Sequence, residues 1–238
     1  MADLAIIQHR DSRSLIAEAV RTAMTGVRLA THDEKCPIIA FTSSLPGEGK
    51  STLAINAAIE AGRTKKVLLI DADLRKPSLA EYLDLSNDGP GLSDAIAGAP
   101  IEICLAASED LRITAIRAGS DRKNPMDQLM SLEFRNTLEV LQERFDMIII
   151  DTPPVELVSD ALPVGKLASG VVYVARANET PIGIIRRGLS RLESAEINVM
   201  GVMLNAHDFE KASKYYGEES AYGSYSAYGY HSDEKERA

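Results

Sequence analysis

The sequence predicts an α/β protein with a doubly wound, mainly parallel sheet flanked by helices. Three observations carry this prediction: a glycine-bearing loop between an apolar run and a helical pattern, two apolar runs that end in carboxylates, and apolar runs that alternate with helical stretches. Short apolar runs are typical of strands buried on both faces. Strands that alternate with helices are typical of a parallel sheet.

The composition is that of a globular chain of 238 residues, with 45% hydrophobic residues. Its net charge of −9 argues against a surface that coats nucleic acid and against a polybasic membrane anchor. Cys36 and Cys104 form no disulfide framework, which fits a reducing compartment. With no long apolar run and no signal peptide, the chain as given is expected neither to span a membrane nor to be exported. A membrane segment on a longer parent chain stays open.

The amino-terminal part is expected to hold a loosely packed lead-in, residues 1–13, and an amphipathic helix, residues 14–30. The helix has an apolar stripe at helical spacing, formed by Ile16, Val20, Ala23 and Val27. Its polar face is formed by Glu18, Arg21, Thr25 and Arg28. The polar face has two interpretations, a solvated face with a local ion pair or a contact between subunits.

Residues 41–52, Phe-Thr-Ser-Ser-Leu-Pro-Gly-Glu-Gly-Lys-Ser-Thr, have the pattern of a phosphate-binding P-loop between a strand and a helix. Glycines let the backbone turn its N–H groups towards phosphate oxygens, and the helix N-terminus adds oriented donors. Lys50 can reach the outer phosphates, and the Ser51 hydroxyl suits Mg²⁺. The expected nucleotide contacts come from Gly47, Glu48, Gly49, Lys50, Ser51 and Thr52.

One residue departs from the strict P-loop pattern, which has glycine where this chain has Ser44. The alternative interpretation is an ordinary turn rich in Gly and Pro. We favour the P-loop because the flanking strand and helix are in place and two acidic motifs follow.

The first acidic motif follows the apolar run 66–70 and contains Asp71 and Asp73. Open α/β sheets bind ligands at the carboxyl ends of their strands. Two neighbouring carboxylates repel each other, so a cation between them is expected. The alternative is a helix cap or a solvated strand end.

The second acidic motif is the run 145–151, which ends in Asp151 and has the Walker B pattern. Its carboxylate is placed to hold Mg²⁺ directly or through water. The remaining pattern predicts a connection over one sheet edge at 78–110, strands at 113–118, 171–175 and 199–204, and helices at 125–144, 159–169 and 181–195. These elements fit one domain, residues 14–206, without internal repeats.

The last segment, residues 207–238, is expected to be a flexible tail because Gly, Ser and Glu cannot form a core. It carries six of the eight tyrosines of the sequence, namely Tyr215, Tyr216, Tyr222, Tyr225, Tyr228 and Tyr230. Such a tail can adhere to its own domain or to a partner. Beside an ATP site, a role as phosphate acceptor is the better interpretation.

Together these motifs resemble those of the bacterial tyrosine kinases (BY-kinases), the cytoplasmic kinase modules of exopolysaccharide and capsule assembly. The resemblance covers nearly the whole chain and rests on the tyrosine cluster and on residues 43–52, 68–77, 148–154 and 201–205. Related partition and septum-site ATPases share the fold. They have a signature lysine where this chain has Leu45, and they lack a tyrosine tail.

The resemblance implies ATP and Mg²⁺ as cofactors and a role for each motif residue. Lys50 would bind the β- and γ-phosphates, Asp71 would accept the proton of the incoming tyrosine, and Asn205 would contact adenine. Mg²⁺ would be organised by Ser51, Asp73 and Asp151. The catalytic set is therefore Lys50, Asp71, Asp73 and Asp151.

The resemblance also implies partners. A family motif Glu-x-x-Arg-x-x-Arg builds a ring of subunits and matches here at Glu18 and Arg21, whereas Met24 stands at its last position and Arg28 lies nearby. One subunit would phosphorylate the next subunit's tail, at the inner face of the cell membrane, with a fused or separate membrane activator of the polysaccharide co-polymerase type. Protein substrates would come from polysaccharide synthesis. The alternative function is a regulatory ATPase whose nucleotide state controls assembly with a membrane partner.

Overall fold

The computed structural model describes residues 15–206 except 87, 109, 110, 112, 121 and 122, so the predicted lead-in and tail lie outside the described residues. The strands are β1 (Ile38–Ser43), β2 (Val67–Asp71), β3 (Leu105–Ser108), β4 (Ile113–Ile116), β5 (Met147–Asp151), β6 (Gly170–Arg176) and β7 (Val199–Asn205). The helices are α1 (Leu15–Ala30), α2 (Lys50–Gly62), α3 (Leu79–Tyr82), α4 (Leu92–Ile96), α5 (Ile101–Cys104), α6 (Pro125–Met130), α7 (Leu132–Gln142), α8 (Ala161–Leu167) and α9 (Ile182–Ser194).

The strands form one seven-stranded sheet in the order β3-β4-β2-β5-β1-β6-β7. Every neighbouring pair is parallel except β3 with β4, so the predicted mainly parallel, doubly wound sheet is confirmed. Asp71 and Asp151 are register partners on the adjacent strands β2 and β5. The carboxylates of both acidic motifs therefore reach the same edge of the sheet.

Both faces of the sheet are covered because side chains alternate along each strand. In β1, Ile38 and Ala40 belong to one core cluster, and Ile39 and Phe41 belong to the other. Helices α1 and α2 cover the second cluster, whereas α7, α8 and α9 contribute to the first. No helix among the described residues combines the length and apolar character needed to cross a bilayer.

Two predicted segments differ from the structure. The connection at 78–110 contains a strand, β3, that the sequence does not reveal because its four residues are short, partly exposed and at an antiparallel edge. The predicted helix 125–144 is two helices, α6 and α7. They divide at Ser131, which has an extended backbone and whose hydroxyl accepts a hydrogen bond from Phe134 N as the N-cap of α7.

The buried stripe of α1 is offset from the predicted one. Val20 and Val27 are buried as expected, but Ile16 is 45% exposed and Ala23 is only partly buried. Ala17 and Met24 complete the stripe instead, with Met24 only 2% exposed in the core between α1 and α2. Both stripes have helical spacing, so the sequence alone does not decide which one faces α2.

Candidate active site at the P-loop and the strand ends

The P-loop between β1 and α2 requires its two glycines. Gly47 and Gly49 have φ angles of +81° and +90°, the left-handed region in which glycine carries no steric penalty. A Cβ at Gly49 would lie 1.9 Å from Asn205 Nδ2, so the close approach of β7 also excludes a side chain there. Helix α2 begins at Lys50, which leaves its first N–H groups available to an anion.

Ser44 fits the P-loop although the strict pattern has glycine. It does not adopt a positive φ, so the backbone does not demand glycine at this position. Its hydroxyl forms a 2.9 Å hydrogen bond with the hydroxyl of Tyr173 on β6, and both residues are buried. This tyrosine is therefore a support for the loop.

The Glu48 carboxylate is turned into the loop. Leu45 N donates to Glu48 Oε2 at 2.6 Å, and the Thr180 hydroxyl donates to Glu48 Oε1. Asn205 Nδ2 donates to Glu48 O at 2.9 Å, so the end of β7 also braces the loop. The Glu48 side chain is buried and faces the protein. The predicted nucleotide contact of Glu48 would therefore be made by its backbone N–H. The predicted adenine contact of Asn205 stays a prediction.

Lys50 joins the P-loop to both acidic motifs. Its Nζ lies 3.2 Å from Asp151 Oδ1 and 3.2 Å from Asp73 Oδ2. The Ser51 hydroxyl donates to Asp151 Oδ2 at 2.5 Å. Asp71 and Asp151 are 0% exposed and Asp73 is 5% exposed, so the carboxylates share a desolvated site.

The charge balance of this cluster shifts the pKa of its members. Burial and the Asp151 carboxylate raise the pKa of Asp71 to about 7. Burial also raises the pKa of Asp151, although Lys50 and Ser51 oppose the shift. Burial alone would lower the pKa of Lys50, but Asp151 and Asp73 outweigh it and raise that pKa. One lysine thus faces three carboxylates, and a further cation would relieve their repulsion.

The donor set fits Mg²⁺. The Ser51 hydroxyl and the Asp73 and Asp151 carboxylates supply hard oxygen ligands, and Ser78 Oγ orients Ser51 by donating to its hydroxyl at 3.1 Å. Within the described residues, no group of three or more His, Cys, Asp or Glu side chains is placed to hold a metal. Mg²⁺ commonly uses one or two carboxylates together with substrate phosphates and water, so this site suits a metal that arrives with a nucleotide.

Asp71 also caps a helix, as the alternative interpretation of its motif expects. Its Oδ2 accepts hydrogen bonds from Ser78 N and Leu79 N, both at 3.0 Å, at the start of α3. Its Oδ1 accepts from Asp73 N at 3.2 Å. A carboxylate has about four acceptor positions, so one position remains for a hydroxyl proton.

A pH-dependent stability follows from the raised pKa of Asp71. The pKa rises from 3.8 to about 7 on folding, so between these values the folded state keeps a proton that the unfolded state has released. In EDTA, stability should therefore fall with rising pH over this range, by up to about 1.4 kcal/mol per pH unit for one proton. Urea unfolding of the wild type and Asp71→Asn should show the variant gaining relative stability as pH rises. A difference that does not change with pH would contradict the shift.

One contact near the site is not evident from the sequence. Arg75 Nε and Nη2 donate to the two oxygens of Asp160 at 2.6 and 3.0 Å, and Asp160 is 2% exposed. This pair connects the loop after β2 to the loop after β5. An arginine and an aspartate 85 residues apart carry no local signal of their pairing.

The structure brings most of the predicted site residues to one place, from the P-loop to Asn205. Thr52 lies on the first turn of α2 and is partly buried. The predicted subunit contacts Glu18, Arg21 and Arg28 are elsewhere, on α1. The tail tyrosines lie outside the described residues.

Comparisons with known proteins agree with this geometry. A ParA family profile, described as the NUBPL iron-transfer P-loop NTPase, matches residues 36–229. The tyrosine-protein kinase YwqD of Bacillus subtilis (strain 168) is 32% identical over 211 residues, which are 88% of this chain and 89% of YwqD. The succinoglycan biosynthesis transport protein ExoP of Rhizobium meliloti (strain 1021) is 31% identical over 208 residues, which are 85% of this chain and 26% of ExoP.

A solved structure also relates the chain to a bacterial tyrosine kinase. The kinase domain of the Escherichia coli tyrosine kinase ETK superposes with a TM-score of 0.80 at 30% identity, over 84% of this chain and 79% of that domain. Several relatives are longer, and the chain spans between 26% and 29% of their length. By fold, P-loop and acidic motifs, and by its identity with YwqD over most of both chains, the chain belongs to the bacterial tyrosine-kinase family within the ParA-type P-loop NTPases.

Proposed function

We propose that the chain is an ATP- and Mg²⁺-dependent protein-tyrosine kinase that phosphorylates its own tyrosine-rich tail, from one subunit to the next. The observation that carries this proposal is the buried cluster of Lys50, Asp71, Asp73 and Asp151 beside the P-loop. Through this modification the protein would regulate exopolysaccharide or capsule polymerisation and export. ExoP, whose name includes succinoglycan biosynthesis, supports that setting.

Each residue of the cluster has a task in phosphoryl transfer, which depends mainly on positioning and on neutralising charge. The P-loop N–H groups and Lys50 bind the phosphates. To do so, Lys50 Nζ gives up a contact with one of its carboxylate partners and contacts a phosphate oxygen instead. Ser51, Asp73 and Asp151 would hold Mg²⁺, which neutralises phosphate charge when bound. Water is excluded because the carboxylates lie under the loops.

Asp71 would accept the proton of the tyrosine hydroxyl. A tyrosine with a pKa near ~10 is a weak nucleophile until a base can take its proton. Burial raises the pKa of Asp71 to about 7, which makes it a stronger base than an exposed carboxylate. Because Asp71 is fully buried, the hydroxyl reaches the remaining acceptor position only when Ser78 and the start of α3, which hydrogen-bond to the carboxylate, shift aside.

Two other functions are less well supported. A regulatory ATPase would use the same nucleotide site but would not transfer phosphate to tyrosine.

The iron-transfer role in the name of the matching profile finds little support here. Cys36 precedes β1 and Cys104 precedes β3, with three strands between them in the sheet. Burial, followed by the Asp146 charge, raises the pKa of Cys36 to about 11, so that thiol stays protonated.

Phosphorylation of the tail would control assembly by charge. Each phosphate adds about −1.5 to −2 charges, so six would add roughly −9 to −12 to a chain at −9. Crowded, phosphorylated tails would repel one another in a ring. The unphosphorylated form would therefore associate and the phosphorylated form would not, with a weaker effect at high salt.

Helix α1 is the candidate subunit contact. Arg21 pairs with Glu18 on the same face, and its Nε lies 3.7 Å from Glu60 Oε1 on α2. Arg28 Nη2 donates to Glu60 O at 3.5 Å. The polar face of α1 therefore adjoins the carboxyl-terminal end of α2, the helix that follows the P-loop. Since Met24 is buried, it does not supply the arginine that the family motif has.

We expect Glu18→Ala with Arg21→Ala to shift an oligomer to monomer in light scattering, because both charges of the contact are lost. The matched control is Lys166→Ala with Glu196→Ala, which removes an exposed ion pair elsewhere and leaves the net charge unchanged. A wild type that is monomeric at high concentration would instead support the solvated face.

The proposed transfer between subunits has a direct test. We expect that a Lys50→Met full chain, mixed with an active chain that lacks residues 207–238, acquires phosphotyrosine on its tail. The active partner has no tail to modify, so phosphotyrosine on a tail in the mixture comes from transfer between chains. Demonstrated co-assembly without phosphotyrosine would contradict transfer between subunits.

A further inference from the structure

An open cleft of about 410 Å³ lies beside the proposed catalytic loops. It is lined by Arg75, Asn124, Pro125, Met126 and Asp127. Arg75 is in the loop after β2, and the other lining residues follow β4, so the cleft is at the carboxyl edge of the sheet. Ligands of open α/β sheets bind at this edge, and the volume lies within the roughly 300–1,000 Å³ of ligand pockets.

Arg75 lines this cleft, and its guanidinium is held in place by a second residue. Its bidentate pair with Asp160 holds two nitrogens, while 46% of the Arg75 side chain stays exposed. Asp160 stands at the N-cap of α8, yet its side chain makes no capping hydrogen bond and is used for Arg75 instead. A planar guanidinium held in this way can stack on an aromatic ring.

The other lining residues complete a site for a phenol. Pro125 and Met126 are partly buried and offer apolar surface, and a methionine sulfur makes favourable contacts with aromatic rings. Asn124 and Asp127 are exposed and can accept a hydrogen bond from a phenolic hydroxyl. A phosphorylated ring fits less well because Asp127 would repel it and Asp160 already offsets the charge of Arg75.

The tail has tyrosines at a spacing that matches this arrangement. Tyr222, Tyr225 and Tyr228 recur every three residues. An extended chain covers up to about 10 Å over three residues. Arg75 is four positions after Asp71, so their Cα atoms are at most about 14 Å apart. The two spans are comparable, so the tyrosine next to one at Asp71 can approach the cleft.

We propose that the cleft holds one unphosphorylated tail tyrosine from a neighbouring copy while the tyrosine three residues away reacts at Asp71. This inference rests on the proposed kinase function and adds to it a substrate subsite that selects paired tyrosines. The subsite binds a tyrosine less tightly once that tyrosine is phosphorylated. Transfer to a tail should thus become less efficient as its tyrosines are modified.

The test uses the wild-type full chain and a peptide of residues 219–227, which contains Tyr222 and Tyr225. Replacing either tyrosine by Ala should raise KM for the remaining acceptor about tenfold with little change in kcat, as expected when one aromatic contact is lost. Replacement by Phe should restore most of the affinity, and replacement by phosphotyrosine should not. The phosphorylated residue is identified by mass spectrometry.

Two enzyme variants locate the effect. Met126→Ala should remove the difference between the Phe and Ala peptides. Met130→Ala, an exposed methionine of the same helix outside the cleft, should preserve it. Phosphorylation of the chain's own tail in each sample reports kinase activity. Equal KM values for the Phe and Ala peptides, or a phosphorylated tail beside unmodified peptides, would overturn the subsite alone. The absence of any phosphotyrosine would overturn the kinase proposal and the subsite together.

Discussion

Lys50→Met should reduce tyrosine phosphorylation by about 10²–10³-fold, the range seen when one charge-stabilising group is removed from a transition state. Lys50 is the cation that contacts both Asp73 and Asp151, and it is the P-loop side chain that can reach the outer phosphates. Mass spectrometry of tail peptides after incubation with Mg·ATP measures the loss. Unchanged phosphotyrosine would show that the activity lies at another site or in a contaminant.

The structure adds a stability effect that the sequence alone does not suggest. Removal of one partner from a buried ion pair costs about 3–5 kcal/mol, and protonation of the carboxylates left behind would reduce that cost. We therefore expect Lys50→Met to fold but to unfold at a lower urea concentration than the wild type. Lys66→Met is the matched control because Lys66 is exposed just before β2, at the opposite edge of the sheet from the site.

Asp71→Asn should retain Mg·ATP affinity and lose about 10²–10⁴-fold in transfer, the range of a general base. An asparagine side chain still offers one oxygen to Ser78 N and Leu79 N, so the cap of α3 is kept. Its amide cannot accept the tyrosine proton. Single-turnover transfer, measured beside titration calorimetry with a slowly hydrolysed ATP analogue, separates chemistry from binding.

Asp73→Asn is the matched variant because it makes the same chemical change two residues away. Asp73 contacts Lys50 and is a proposed Mg²⁺ ligand, so its variant should weaken Mg²⁺-dependent nucleotide binding as well as transfer. Equal binding losses in both variants would remove the case for Asp71 as the base.

Local motifs predicted the parts of the site that depend on short stretches of chain. The P-loop, Asp71 with Asp73, and Asp151 each follow an apolar strand, and parallel pairing then places them at one edge. The same reasoning identified the mainly parallel sheet. The helix cap, which is the alternative to a cation site at this motif, is also present at Asp71.

Contacts between distant residues were not predictable in this way. The Ser44–Tyr173 hydrogen bond and the Arg75–Asp160 pair depend on tertiary placement, which no local periodicity encodes. The buried stripe of α1 was misassigned because two stripes share one spacing, and only the packing of Met24 against α2 distinguishes them. The short edge strand β3 was missed because partial exposure hides its pattern.

If the buried cluster transfers phosphate from ATP to tyrosine, the γ-phosphate of ATP must appear on tyrosine side chains. The purified wild type is incubated with γ-labelled ATP and Mg²⁺, and the labelled residues are identified by mass spectrometry. We expect label on tail tyrosines within residues 215–230, and labelling that is about 10²–10⁴-fold slower in Asp71→Asn. Release of labelled phosphate with no phosphotyrosine on the wild type would contradict this expectation and would favour the regulatory ATPase.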